Sequence, residues 1–204
     1  MSIDRAALID GIARLNAAMQ RDFDLLNTAD GALGDGDLGI TMTRGMSAIS
    51  ENAENLPEDL GMALLQCAQA FTKSSGSSYG TLLATGLMAI AKTVKGETEI
   101  PAERISELAA LARDQMQARG KAELGGKTVL DSLDAVAKAT DGKTGEAAIA
   151  DAAAEAADDA LKSFKDKKAT IGRARIFGEK SVGMDDPGML AMNRIVKALA
   201  NREG

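Results

Sequence analysis

The chain has 204 residues and a net charge of −6, from 24 basic and 30 acidic side chains, with no basic run or stripe; a nucleic-acid surface is therefore not expected, because phosphate neutralisation needs clustered Lys and Arg. It contains no histidine, which excludes histidine zinc sites, Ser-His-Asp triads and histidine acid–base catalysis within this chain. One Tyr, four Phe and no Trp leave Ala, Leu and Met to fill the core, and those residues favour helix over strand, so the expected fold class is all-α.

Met1-Ser2-Ile3-Asp4-Arg5 runs straight into an amphipathic segment, without the apolar block of a signal peptide. Over residues 4–27, Leu8, Ile9, Ile12, Leu15, Met19, Phe23 and Leu26 recur at spacings of three and four, which predicts one helix with a single buried stripe. The pattern breaks at Asp30-Gly31-Ala32-Leu33-Gly34-Asp35-Gly36-Asp37-Leu38-Gly39, where four glycines in ten residues predict a tightly turned loop. A second helix follows over 40–52, with Met42, Met46 and Ile49 on one side. Pro57 suits the first turn of a third, over 57–73, in which Cys67 reads as a buried small hydrophobe. A lone Cys forms no internal disulfide, which fits a reducing cytoplasm.

Ser74-Ser75-Gly76-Ser77-Ser78 precedes a fourth helix over 79–95, carrying Leu82, Leu83, Leu87, Ile90 and Val94 inward. Pro101 opens a fifth, with Ile105, Leu108, Leu111 and Met116, stopped by Gly120. Residues 127–140 and 144–165 give the sixth and the alanine-rich seventh. A glycine-bearing loop over 169–185 leads to the eighth, whose start is marked by Asp186 as a cap and Pro187 at the first helical position. Only residues 175–177 hint at an extended piece. With no linker and no internal repeat, residues 1–204 read as one domain. No run approaches the roughly 18 apolar residues that a membrane span needs, and the expected location is the cytoplasm.

In antiparallel helices joined by short loops, alternate connections fall at the same end. The loops after helices one, three, five and seven (30–39, 74–78, 120–126 and 169–185) would then share one rim. Asp30, Asp35 and Asp37 place three carboxylates within eight residues, and a cation at their centre is the natural compensation for their repulsion. Oxygen ligands favour magnesium, calcium or manganese. The EF-hand register fails from either Asp30 or Asp35, and few protein ligands suit magnesium, which keeps waters and takes further oxygens from phosphates. A solvated Asp-Gly turn is the bland alternative. Leu38-Gly39-Ile40-Thr41 opens a helix whose free amides attract phosphate, with the Thr41 hydroxyl beside them; the serine-rich turn offers the same, or is simply flexible. Gly126-Lys127-Thr128 is not a P-loop, because position 121 is Lys121 rather than glycine and no strand precedes it. Lys127 reads instead as an exposed residue in the first turn of a helix. Arg173 or Lys180 can neutralise phosphate charge or stand solvated.

Taken together, residues 30–39, Ser75-Gly76 with Tyr79-Gly80-Thr81, Gly120-Lys121-Ala122-Glu123 with Lys127-Thr128, Gly172-Arg173-Ala174, the run Gly178 to Gly183 and Asp186-Pro187-Gly188 resemble the DhaL-type domain of dihydroxyacetone kinases, in order and spacing over nearly the whole chain. The resemblance implies an antiparallel eight-helix barrel with a nucleotide, ATP or ADP, at one rim. It implies that Asp30, Asp35 and Asp37 hold two Mg2+ ions at the phosphates and are the residues of catalysis. Leu38, Gly39, Ile40, Thr41, Ser75 and Gly76 would line the phosphates; Gly120, Val129, Arg173, Asp186, Pro187 and Gly188 would surround the rest. The triose would sit on a separate DhaK-type partner, linked to that partner's histidine, in keeping with the absence of histidine here. A phosphotransfer protein that recharges a retained ADP is a second implied partner, no nucleic acid or membrane partner is expected, and a homodimer stays open. Three positions depart from the family pattern: Leu38 and Met184 stand where histidine is usual, and Gly126 where aspartate is usual. These departures keep alive a second reading, a non-catalytic nucleotide-binding regulatory module. A third, a helical barrel that carries an apolar ligand, has no motif of its own.

Overall fold

Each apolar stripe in the chain becomes helical, and side chains cap the starts of most of the helices. The computed structural model describes residues 2–202, so Met1 lies outside the described residues. In chain order the elements are β1 (Ser2–Ile3), α1 (Arg5–Arg21), α2 (Phe23–Leu33), α3 (Leu38–Ser50), α4 (Leu60–Ser74), α5 (Ser78–Thr93), β2 (Ile100–Pro101), α6 (Ile105–Gly120), α7 (Val129–Thr140), α8 (Glu146–Phe164) and α9 (Pro187–Leu199). The all-α expectation holds; among the described residues the strand content is one antiparallel pair, β1 on β2. Among the described residues no helix is long and apolar enough to cross a membrane.

From α3 to α9 each helix packs against the next in sequence, α9 returns to α1 and α2, and α1 packs against α3, so the packing order closes on itself. The interior is filled as the composition demands. Met19, Leu26, Met42, Phe71, Leu190 and Ala191 belong to one buried cluster, and Met116, Val129, Leu130, Leu133 and Met192 to a second. Cys67 is buried, and that burial pushes its thiol up to about 11, so it behaves as a small hydrophobe.

Several boundaries differ from the expectation. The first predicted helix is two, broken at Asp22, which ends α1 and begins α2. The apolar stripe runs through the break without losing phase, so periodicity alone could not see it. α2 also runs on to Leu33, because Leu33 is buried beneath the later loop with Ala169 and Ala174; the glycine-rich loop is thereby shortened to residues 34–37. Pro57 lies before α4, whose start is set by Asp59: its carboxylate accepts the Met62 N–H at 3.0 Å and the Gly96 N–H at 3.1 Å. Pro101 belongs to β2, and α6 follows only after a 3-10 turn over Ala102–Arg104. The 175–177 stretch is not extended; it lies in 3-10 turns over Arg173–Ser181, kinked at Gly178. α9 starts as expected, with Asp186 accepting the Met189 N–H at 2.9 Å and Pro187 at the first position.

Candidate functional site

Asp30 sits in the last turn of α2, and the chain reverses directly after it. At Gly34 a Cβ would collide with Asp30 Oδ1, and Gly36 has φ +77°, so side chains are excluded from both corners of the turn. The Asp37 N–H closes it by donating to Asp30 Oδ2 at 2.9 Å. Asp37 occupies the cap position of α3, yet its carboxylate caps nothing. Asn27, one turn earlier on α2, does that work: its Oδ1 accepts the N–H of Gly39 at 2.8 Å and of Ile40 at 3.2 Å. The Asp37 carboxylate is thus left to face its neighbours, and one oxygen from each of Asp30, Asp35 and Asp37 lies within 4.8 Å of the others. The Arg173 guanidinium pairs with Asp35, both about half exposed. Three hard oxygen donors at this spacing, with one cation neutralising only one of them, fit a divalent ion such as magnesium.

The trio forms one wall of an open cleft of about 230 Å³. The starts of four helices open into it: Leu38 of α3, Ser78 and Tyr79 of α5, Val129 and Leu130 of α7, and Pro187 and Gly188 of α9. Helix starts carry unpaired N–H groups and a partial positive charge, so their convergence makes an anion-binding rim. Each of three starts is capped by its own side chain. Ser77 accepts the Gly80 N–H at 3.0 Å, Thr128 and Asp131 form a reciprocal capping box, and Asp186 caps α9. Leu82 and Met116 supply an apolar wall, and residues 171–174 line the cleft beside Asp35, through the Arg173 ion pair.

Two polar groups brace the rim, Tyr79 part-buried and Asp186 buried. The Tyr79 phenol donates to the Gly188 carbonyl at 3.0 Å, joining the starts of α5 and α9, and burial holds its pKa far above the ordinary phenol value. Burial also pushes the Asp186 carboxyl up to about 6, against the pull of the Met189 and Gly188 N–H groups and of Lys127. Lys127 is the main surprise. It is fully buried rather than exposed, lies ahead of α7 rather than in its first turn, and donates to three backbone carbonyls.

Of the residues expected at the site, Asp30, Asp35, Asp37, Leu38, Gly120, Val129, Arg173, Asp186, Pro187 and Gly188 all line this cleft. Gly39, Ile40 and Thr41 do not. The amides of Gly39 and Ile40 are taken by Asn27, a Cβ on Gly39 would collide with the Phe23 carbonyl, and Thr41 is buried. Ser75 and Gly76 stand outside the lining, where Ser77 and Ser78 take their place; Lys180 is exposed and away from it. Met184 packs with Leu33, Ala169 and Ala174 instead of facing the cleft. Sequence reasoning took Ser77 only as part of the serine-rich turn and Tyr79 and Thr128 only as members of motifs, and gave none of them a place at the site. The Thr128-x-x-Asp131 box and a serine just ahead of an apolar run are the local signals that point to them. Nothing local points to Asn27 or Lys127.

The model of the DAK2 domain family matches residues 32–201. The chain is 30% identical over 204 residues to the ADP-binding subunit DhaL of PEP-dependent dihydroxyacetone kinase 1 from Listeria innocua, covering 100% of this chain and 99% of that one. It is 26% identical to the DhaL subunit from Escherichia coli, with 98% of each covered. It is also 34% identical to the L-erythrulose 1-kinase of Mycolicibacterium smegmatis, over 85% of this chain but 31% of that longer protein. In fold it is similar to the dihydroxyacetone kinase of C. freundii, solved in complex with AMP-PNP and Mg2+, with a TM-score of 0.75 and 24% identity, covering 97% of this chain and 34% of the other.

Proposed function

This chain belongs to the DAK2 domain family, and on that premise we propose that it is the nucleotide-binding, phosphoryl-transferring subunit of a dihydroxyacetone-type kinase, acting as one cytoplasmic domain on a small ketose held by a DhaK-type partner. The observation that carries this reading is the meeting of three carboxylates with the starts of α3, α5, α7 and α9 around one cleft. Asp30, Asp35 and Asp37 would hold two magnesium ions, which supply charge neutralisation at a polyphosphate. The N–H groups of Ser78 and Tyr79 on α5 and of Val129 on α7, ahead of the capped Gly80 and Leu130, would cradle phosphate oxygens, while those of α9 are spent on Asp186. Leu82, Met116, Val129 and Leu130 give the apolar wall against which a base lies. Arg173, about half exposed, balances charge opposite the trio. Transfer on such a rim is positioning and electrostatics, and no covalent work falls to this chain. The partner's own histidine would hold the sugar, as this chain has none. The phosphate would come from exchangeable ATP or from a phosphotransfer protein recharging bound ADP.

Asp35→Asn tests the assignment. It leaves the Asp30–Asp37 turn bond intact and removes one charge from the trio. Calorimetry should show Mg–ADP affinity falling at least tenfold, and transfer to dihydroxyacetone on a DhaK-type partner should disappear; unchanged turnover would refute the metal role. A regulatory module without turnover is the second reading, favoured by Leu38, which is 4% exposed and packed in the core where the family pattern has histidine. Sugar phosphate formed by the purified pair rejects it.

A further inference from the structure

An ammonium is strongly hydrated, and a lysine with no exposure persists only if every donor is spent. Lys127 spends all three, on the carbonyls of Lys165 at 2.8 Å, Lys167 at 2.9 Å and Ser181 at 2.7 Å. None of these is a carboxylate; all are backbone oxygens, and they lie at the two ends of one segment, residues 165–181. The side chain therefore staples the ends of a loop together. Its backbone is held at φ +62°, a strained conformation for a residue with a side chain, which a solvated lysine would have no reason to keep.

The neighbouring contacts reinforce this geometry. The Thr170 N–H donates to the Gly126 carbonyl at 3.2 Å, and the Gly183 N–H to the Lys165 carbonyl at 2.9 Å. Ile171 packs so closely on Gly126 that a Cβ there would stand 2.7 Å from Ile171 Cδ1, so the glycine that departs from the family pattern makes room for this loop. Inside the segment the Ser181 hydroxyl donates to the Gly178 carbonyl at 2.7 Å and accepts the Ala169 N–H at 2.9 Å. The loop's own apolar burial is small, Ala169 and Ala174 on Leu33 with Phe177 part-buried against them, and Ile176 is 78% exposed. It carries Arg173, which reaches Asp35, while Lys127 stands one residue before the cap of α7.

We propose that Lys127 is a positioning residue whose ammonium, seated among three carbonyls, holds the 165–181 loop in place so that Arg173 stands opposite the acidic trio. The task given to Arg173 rests on the nucleotide reading above; the tether itself does not. Without the ammonium the loop keeps too few buried contacts to stay closed, and it opens locally while the helices stand.

Limited trypsinolysis of the full chain reads this directly, because Lys165, Lys167, Lys168, Arg173, Arg175 and Lys180 all lie in the segment. In Lys127→Met, cutting within 165–181 should accelerate at least tenfold while urea unfolding shows the helical body intact. Unchanged cutting there, or acceleration spread evenly over the chain, overturns the tether. Lys127→Gln carries the same test should the methionine variant fail to fold, and failure of both to fold also overturns a role confined to the loop. Calorimetry with Mg–ADP then separates positioning from mere support. Lys127→Met and Arg173→Ala should each weaken binding about fivefold, and the double variant no further than Arg173→Ala alone; additive losses sink the positioning role. If wild-type protein binds no Mg–ADP, the nucleotide reading fails, and the tryptic pattern still decides the tether.

Discussion

Asp186 shows how one side chain can serve two ends at a cost. Its carboxylate caps α9 at the rim, and its burial raises the folded pKa to about 6, above the ordinary carboxylate value near 3.8. Below the unfolded value both states are protonated and nothing is lost. As pH rises from about 4 to about 6 the unfolded chain ionises first, so stability falls, and the penalty is complete above the folded value. The gap between the two pKa values sets an upper bound of about 3 kcal/mol on that penalty. Asp186→Asn keeps an oxygen that accepts the Met189 N–H but cannot ionise. Urea titrations of the two proteins should therefore diverge in favour of Asn as pH rises from about 4 to about 6.5 and run parallel above; a constant offset would show that the buried charge is not the cause. At this scale the sequence was legible where chemistry is local. Three aspartates on glycine spacing announce themselves, whereas Lys127 and Asn27 do not, because their partners lie up to 54 and 13 residues away and only the fold brings them in.

At the level of elements, the helices were readable from their stripes and their ends were not. A stripe reports which face is buried; a boundary reports where a cap or a neighbour intervenes. Asp59, Asp22 and the β1–β2 pair mark the shifted starts or ends of α4, α1 and α6, and each makes a contact that no short window of sequence contains: Asp59 with the Gly96 N–H, Asp22 with the Arg194 guanidinium, and β1 with β2. Small residues mark the close helix pairs more reliably. At Gly61 on α4 a Cβ would stand 2.5 Å from Lys95 Cα and 2.6 Å from the Ala91 carbonyl oxygen, both backbone atoms of α5 or of the turn after it. Gly61→Ala would gain about 1 kcal/mol of helix propensity. Overpacking costs about 1–3 kcal/mol, and backbone cannot rotate aside as a side chain can, so the steric term wins. The urea midpoint should fall by the equivalent of about 1–2 kcal/mol, whereas Gly76→Ala, with nothing within 4 Å of its Cβ, should leave it within about 0.5 kcal/mol. A neutral Gly61→Ala would mean that α4 and α5 slide apart freely.

Across the whole molecule, the alternation of loops in an up-down arrangement already placed four connections on one rim, and the cleft lies there, bordered by residues from all four. What the alternation could not supply was depth: which residues of each loop face inward depends on caps, so Ser77 and Ser78 took the place expected of Ser75 and Gly76. A ligand that touches the starts of α3, α5, α7 and α9 bridges elements from both ends of the chain, so its binding energy opposes global unfolding rather than the fraying of one loop. At a hundredfold excess over Kd this amounts to about 2.7 kcal/mol, which for a chain of this size raises Tm by roughly 5–10 °C. Scanning calorimetry should show that rise, in a single transition, for Mg–ADP. Magnesium alone should give a smaller shift, because the trio gains a cation but α5, α7 and α9 gain nothing. ADP with a chelator should give little, because the phosphates then meet three bare carboxylates. An equal rise with and without the metal would mean that the nucleotide is held by the helix starts alone, and the acidic turn would lose its place in the mechanism.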